Sequence, residues 1–211
     1  MIRQATKSDL KSISQVHIAC FPDSFSTKLG MVKIPGGGGL LLSKFYEEYL
    51  MKVPELFLVA ENDRNEIQGF CMGYYCEDNE YVKNYFRHNL FWIGLRILWL
   101  LVSLDKATWS KLKNSFKKSN PFLVVNNEVD AISLKEKGDL LSICVLPQCR
   151  GNGMAQELIC KYEEILRSKK RKICILTVAT DNGRGVHFYE RNGYIPYKEA
   201  TGMARTYAKY L

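Results

Sequence analysis

Arg150-Gly151-Asn152-Gly153 is a polar turn with two glycines, set between two stretches of regular apolar spacing. Before it, Leu140 to Leu146 is apolar and β-branched enough for a buried strand, which Pro147 ends. After it, Leu158, Ile159, Tyr162, Ile165 and Leu166 fall on one face of a helix that begins near Ala155. Glycine lets the backbone come close to a ligand, and the first N–H groups of a helix have no internal acceptor. With the positive end of the helix dipole behind them, those amides form an anion site suited to a pyrophosphate. On residue types alone, the stretch is either that site or an ordinary strand, turn and helix.

Two phosphate sites are excluded. No Gly-Lys-Ser/Thr follows the turn, and the Gly-x-Gly-x-x-Gly of a dinucleotide fingerprint is missing. Val145-Leu146-Pro147 followed by Arg150 to Ala155 instead resembles the acetyl-CoA signature of the GNAT acetyltransferase superfamily, Arg/Gln-x-x-Gly-x-Gly/Ala after a Val-x-Pro strand end. Asn182 to Tyr194 is similar to that family's second motif, Asn-x-x-Ala-x-x-Phe-Tyr-Glu-Lys-x-Gly-Phe. Gly185 replaces the alanine, Arg191 the lysine and Tyr194 the phenylalanine, while Gly193 stands where a helix ends in the left-handed conformation. The resemblance covers nearly the whole chain, sharply over 139–194 and loosely before it. The opening pattern His17, Phe21-Pro22, Ser24-Phe25 and Leu29-Gly30 looks like members found in surface-polysaccharide gene sets.

The resemblance implies a fold, a cosubstrate and roles. The fold is α/β (α+β), one domain over 1–211. Its central mixed, mostly antiparallel twisted sheet is flanked by helices, with a helical insertion at 76–138 between the third and fourth strands. The cosubstrate is acetyl-CoA, with no metal. The backbone of Ile143, Cys144 and Val145 would hold the pantetheine arm like an added strand. The amides of Arg150, Gly151, Asn152, Gly153, Met154 and Ala155 would take the pyrophosphate, and Asn182 would bond the pantetheine side. Tyr189 matches the position of the acid that protonates the departing thiolate. Asp139 lies where some members carry a carboxylate that acts as base, often through water.

The chemistry needs such groups. An attacking amine must be neutral, the tetrahedral oxyanion needs N–H donors, and the thiolate leaves more easily with a proton. With a strand period of two, Asp139, Leu141, Ile143 and Val145 point to one side. A carboxylate at a strand start is also commonly just solvated, and Tyr189 could equally pack with its hydroxyl bonded.

At 211 residues, 46% hydrophobic and 25% charged, the chain reads as one soluble globular domain. The net charge of +8 fits anionic ligands such as CoA or a nucleotide sugar, and equally a merely basic surface. Lys111, Lys113, Lys117 and Lys118 read as a solvated face, with no nucleic-acid recognition signature beside them. The seven cysteines make no CxxC pair and read mostly as small core residues. Arg3, Lys7 and Asp9 interrupt any apolar start, so the expected compartment is the cytoplasm.

The elements follow in order. A strand at Ile2 to Ala5 precedes a helix with Leu10, Ile13, Val16, His17 and Cys20 on its periodic face, His17 being a packing residue. Pro35 to Gly39 is a glycine-rich loop, either a flap over the acceptor or a connector, and Leu40 to Met51 a second helix. Leu56 to Glu61 and Ile67 to Tyr75 form a hairpin turned at Asn62 to Asn65, resembling the middle of the GNAT sheet. Leu90 to Leu104 is a dense apolar run, too short to span a bilayer, with Arg96 inside it. It reads as a buried or partly buried helix over the sheet, contact with a membrane surface being the alternative. A basic helix over Lys106 to Lys118 and a polar loop over Asn126 to Lys137 follow. Arg171 to Val178, Tyr194 to Glu199 and Ala204 to Tyr210 are the closing strands.

The implied acceptor is a primary amine, either an amino sugar, free or nucleotide-linked, or a peptide, protein or antibiotic amine. A non-catalytic acyl-CoA-binding module is the other class. Tyr81, Tyr85, Phe86, His88, Phe91 and Trp92 of the insertion could stack on a sugar or base, or form core.

Overall fold

Three strands, β1 (Ile2–Gln4), β2 (Phe57–Glu61) and β3 (Ile67–Tyr75), open the sheet as an antiparallel set. The computed structural model describes residues 1–22, 24, 27–28, 39–78, 80–102, 123–124, 127–200 and 204–211. The tight β2–β3 turn is held by Asn62, whose Oδ1 accepts from the N–H groups of Arg64 and Glu66, with Asn65 at φ 59°. β5 (Lys137–Val145) pairs antiparallel with β3 and parallel with β6 (Ile173–Ala179). β8 (Ala204–Tyr210) inserts between β6 and β7 (Ile195–Ala200), and the two-residue β4 (Leu123–Val124) caps the far edge. The order is β1-β2-β3-β5-β6-β8-β7-β4.

Helices cover both faces. On one lie α1 (Leu10–Cys20), packed on β3 and β5, and α2 (Leu40–Lys52) beside it. The other carries α5 (Met154–Ser168), against β2, β3 and β5. α6 (Gly183–Arg191) shares that face through Glu190, which accepts from the Tyr207 hydroxyl at 3.0 Å. The main core runs through the sheet between them, with Ile13, Tyr46, Phe57, Phe70, Met72, Leu158, Tyr162 and Tyr207 sealed from water.

The insertion differs from expectation in two places. Leu90 to Val102 is helical, as the second half of α3 (Tyr81–Val102), which kinks at Asn89. It packs along α2 rather than over the sheet, burying Tyr85 and Ile93 with Leu41. Its apolar residues occur all round the helix, so only one face can meet α2. Phe91 and Val102, on the opposite face, are 73% and 75% exposed. The polar stretch after Asn126 is also not a loop throughout. It forms the short α4 (Asn127–Ala131), a 3-10 turn at Leu134–Glu136 and the start of β5 at Lys137. Val129 provides the reason, packing with Ile173, Tyr197 and Ala208. The expected basic helix at 106–118 and the loop at 35–38 lie outside the described residues. Among the described residues no helix is long and apolar enough to cross a membrane.

Candidate active site

β5 and β6 pair only from Lys137/Ile173 to Leu140/Leu176. Beyond Leu140 the two strands part, and β6 continues only with β8. The Leu146 N–H donates to the Gln68 carbonyl, which makes 68/146, 70/144 and 72/142 the hydrogen-bonded pairs with β3. Ile143 and Val145 therefore turn their N–H and C=O groups away from β3, into the gap left by β6. A strand edge of that kind takes an extended amide-bearing ligand as an added strand. The Val145 carbonyl accepts from Arg150 Nε at 3.1 Å and from Cys20 Sγ at 3.3 Å.

At the Val145 end of the gap the chain turns through Gly151 and Gly153, at φ 87° and 85°, into α5. Only glycine holds that conformation without strain. The Met154 N–H donates to the Asn152 Oδ1 at 3.1 Å. Among the described residues, the N–H groups of Gly151, Asn152, Gly153, Ala155 and Gln156 meet no acceptor. Five free amides at the positive end of a 15-residue helix suit an anion.

A bulge at Leu141 changes the expected parity. Met72 opposes Ser142 while Gly73 opposes Leu140, so β5 carries one extra residue. Asp139 thus shares a face with Tyr74, Ser142 and Cys144, not with Ile143 and Val145 as simple alternation predicts. That is the α1/α2 face. There the Tyr74 hydroxyl donates to Asp139 Oδ2 at 3.3 Å. Burial pushes the Asp139 carboxyl up to about 6, against the lowering effect of the Tyr74 bond. The backbone of Asp139 is pinned from the opposite face. Gly73 has no side chain there, and the Tyr162 hydroxyl of α5 reaches past it to the Asp139 carbonyl at 2.7 Å. A Cβ at Gly73 would lie 1.9 Å from that carbonyl oxygen and 2.1 Å from the hydroxyl.

Tyr189 approaches from the α5/α6 face, its ring edge-on to Tyr194. Its hydroxyl makes no hydrogen bond to another described residue, in contrast to a packed and bonded tyrosine. Burial raises its pKa, with the nearby Cys71 and Cys174 thiols adding to the effect, so the phenol keeps its proton at neutral pH. Asn182 caps α6, its Oδ1 accepting from the Gly185 N–H at 3.0 Å. A Cβ at Gly185 would lie 2.6 Å from the Asn182 Nδ2, so glycine lets Asn182 fold over the helix start. The Tyr194 hydroxyl donates to the buried Glu163 carboxylate, which Lys209 also bonds. Gly193, at φ 81°, ends the helix.

Of the other sequence candidates, His17 is a packing residue, buried and bonded to the Tyr46 hydroxyl. Tyr81 and Tyr85 are core, Phe86, Phe91 and Trp92 are exposed, and His88 pairs with Glu48. The sequence gives Gly73 and Tyr74 only as strand residues, and Tyr162 and Cys20 only as helix-face residues. A glycine inside a strand, as at 73, is the one available signal of close approach. Among the described residues no cluster of His, Cys, Asp and Glu could hold a metal ion.

The parted β5–β6 edge and the two-glycine turn at the start of α5 are the features of the site set beside known proteins. Residues 104–204 match the acetyltransferase (GNAT) domain family. The fold is similar to that of a crystal structure described as an acetyltransferase, at 20% identity and TM-score 0.59, covering 100% of this chain and 98% of that one. An N-acetyltransferase from Staphylococcus aureus Mu50 is similar at 12% identity and TM-score 0.56, covering 100% and 97%. Naa20 of Chaetomium thermophilum, solved with a bisubstrate analogue, is similar at 17% and 0.55, covering 100% and 86%. No curated protein matches by sequence.

Proposed function

We propose that the chain moves an acetyl group from acetyl-CoA to the primary amine of a small acceptor by direct attack in a ternary complex. The observation that carries this reading is the parted β5–β6 edge, flanked by Asp139 on one face and Tyr189 on the other. The pantetheine arm lies along Ile143, Cys144 and Val145, and the pyrophosphate on the amides from Arg150 to Ala155. Asn182 bonds the pantetheine side. Asp139, ionised above pH about 6, takes the amine proton directly or through water. The nitrogen then bonds the thioester carbon, whose oxygen gains charge next to the inward N–H groups of β5. The carbon–sulfur bond breaks, and Tyr189 gives its proton to the thiolate.

The acceptor is an amino sugar, free or nucleotide-linked. The opening pattern around His17 and Phe21-Pro22 supports this, as does α3 standing beside α2 on the Asp139 face. A peptide or protein amine is the second reading. Free-thiol release from acetyl-CoA across amino-sugar nucleotides, amino sugars, aminoglycosides, polyamines and short peptides tests both. Turnover confined to the sugars supports the first acceptor, and turnover with peptides replaces it. Tight acetyl-CoA binding with no turnover on any amine favours a non-catalytic module.

A further inference from the structure

The second half of α3 turns outward what a globular domain usually hides. Opposite the face that buries Tyr85 and Ile93 with Leu41 of α2 stand Phe91, Leu95, Leu98 and Val102, with Trp92 and Trp99 along one flank. All six are exposed, Leu98 at 60% and Trp99 at 58%. An apolar face of that extent marks a surface that meets a partner. Arg96 does not interrupt it. Its Nε and Nη2 donate to the Lys28 carbonyl at 3.0 and 2.9 Å, and its guanidinium lies 4.7 Å from the centroid of the Trp99 ring. The charge is thereby drawn to the side of the helix. The same part of the chain holds nearly all of the net charge. α3 carries Lys83, Arg87 and Arg96 and no Asp or Glu. Over 81–122 there are eight Lys and Arg against Asp105 alone, which is seven of the chain's net eight positive charges, so the rest is close to neutral. Five of the eight, from Lys106 to Lys118, lie outside the described residues.

We propose that the outward face of α3 docks on the surface of a bilayer that contains anionic lipid. Charge selects lipid over a second copy of the chain. Two copies set face to face on α3 would bring like charges together, whereas anionic headgroups attract them. Side-chain type agrees, because tryptophan rings favour the level of the headgroups. The helix from Leu90 to Val102 is only about 20 Å long at about 1.5 Å per residue, too short to cross a bilayer. It therefore lies along the interface, with Phe91, Leu98 and Val102 entering the acyl boundary and the two tryptophans beside the headgroups. Lys83 and Arg87, both exposed, face the lipid phosphates from the first half of the helix. The docking uses none of the residues of the proposed acetyl transfer, and it stands or falls apart from that reaction.

The test mixes the full chain with extruded vesicles of phosphatidylcholine, alone or with phosphatidylserine added. Cosedimentation measures binding at low and high salt, and tryptophan fluorescence reports insertion. The expected result is binding about tenfold or more tighter to the mixed vesicles, weakened by salt. The fluorescence should shift to the blue and be quenched by lipids brominated on their acyl chains, a readout of the wild-type chain that needs no variant. Phe91→Glu combined with Leu98→Glu, both at exposed positions, should keep the wild-type thermal unfolding midpoint and weaken vesicle binding about tenfold or more. Full binding by that double variant overturns the inference, because charge alone would then account for it. So does equal, salt-independent binding to both vesicles, or no binding to either. Fluorescence that brominated chains leave unquenched overturns it too. A concentration-dependent dimer in sedimentation velocity, broken by the double variant, replaces the bilayer with a second copy of the chain.

Discussion

Replacing Asp139 by asparagine removes a carboxyl whose proton the fold favours. Its pKa stands at about 6, against an ordinary value of 3.8, because burial outweighs the bond from Tyr74. At 1.36 kcal/mol per unit, that difference of about two units corresponds to roughly 3 kcal/mol. The folded chain holds this proton more tightly than the unfolded chain does. Wild-type stability is therefore full below pH about 4 and falls as pH rises through about 6. The asparagine of Asp139→Asn has no proton to lose and keeps an oxygen to accept from Tyr74. Any fixed offset between the two proteins cancels when only the pH dependence of their difference is read. At about 2–4 °C per kcal/mol for a chain of this size, the variant should gain roughly 5–10 °C on wild type between pH 4 and pH 7.5. Thermal unfolding of both proteins at half-unit steps measures the gain. A constant difference across that range would refute the desolvated carboxyl, and with it the physical basis for Asp139 as a base poised near neutrality. Once the acceptor is known, kcat/KM should rise with a limb near pH 6 that the variant lacks.

Other substitutions separate the parts of the site. Gly153→Asp or Gly151→Glu puts a carboxylate among the amides expected to hold pyrophosphate, and strains a backbone at φ 85° or 87°. Either should abolish acetyl-CoA binding by calorimetry, and retained affinity would remove the cosubstrate site. Tyr189→Phe should lower turnover by about 10²-fold or more while largely sparing acetyl-CoA affinity. Equal turnover would exclude the acid role. Gly73→Ala forces a Cβ into the Asp139 carbonyl and the Tyr162 hydroxyl, and should cost about 1–3 kcal/mol or more in urea unfolding. Unchanged stability would mean that β3 shifts there without cost.

Local chemistry accounts for what is legible in the sequence. The helix over 154–168, the strand before Pro147, the turn at Asn62 and the left-handed Gly193 each depend on neighbours within a few residues. Their periodicity and turn residues sit in the chain itself. Placing the glycine-bearing turn directly after β5 also required only a strand followed closely by a helix start.

The side on which Asp139 stands was decided elsewhere. Alternation along β5 holds only while both strands advance residue for residue, and the bulge at Leu141 is set by β3. Gly73, Tyr162 and Asp139 meet from three elements, and Cys20 reaches Val145 across 125 positions. The outward apolar face of α3 was hidden for a related reason. Composition shows that a helix is apolar, but only packing along α2 determines which of its faces is buried. The sequence by itself determined most of the elements, the two-glycine turn before α5 and the residue types around it. The tertiary structure alone decided the parting of β5 from β6 and the faces from which Asp139, Tyr189 and Cys20 approach it, because strand register and helix packing are set by contacts far apart in the chain.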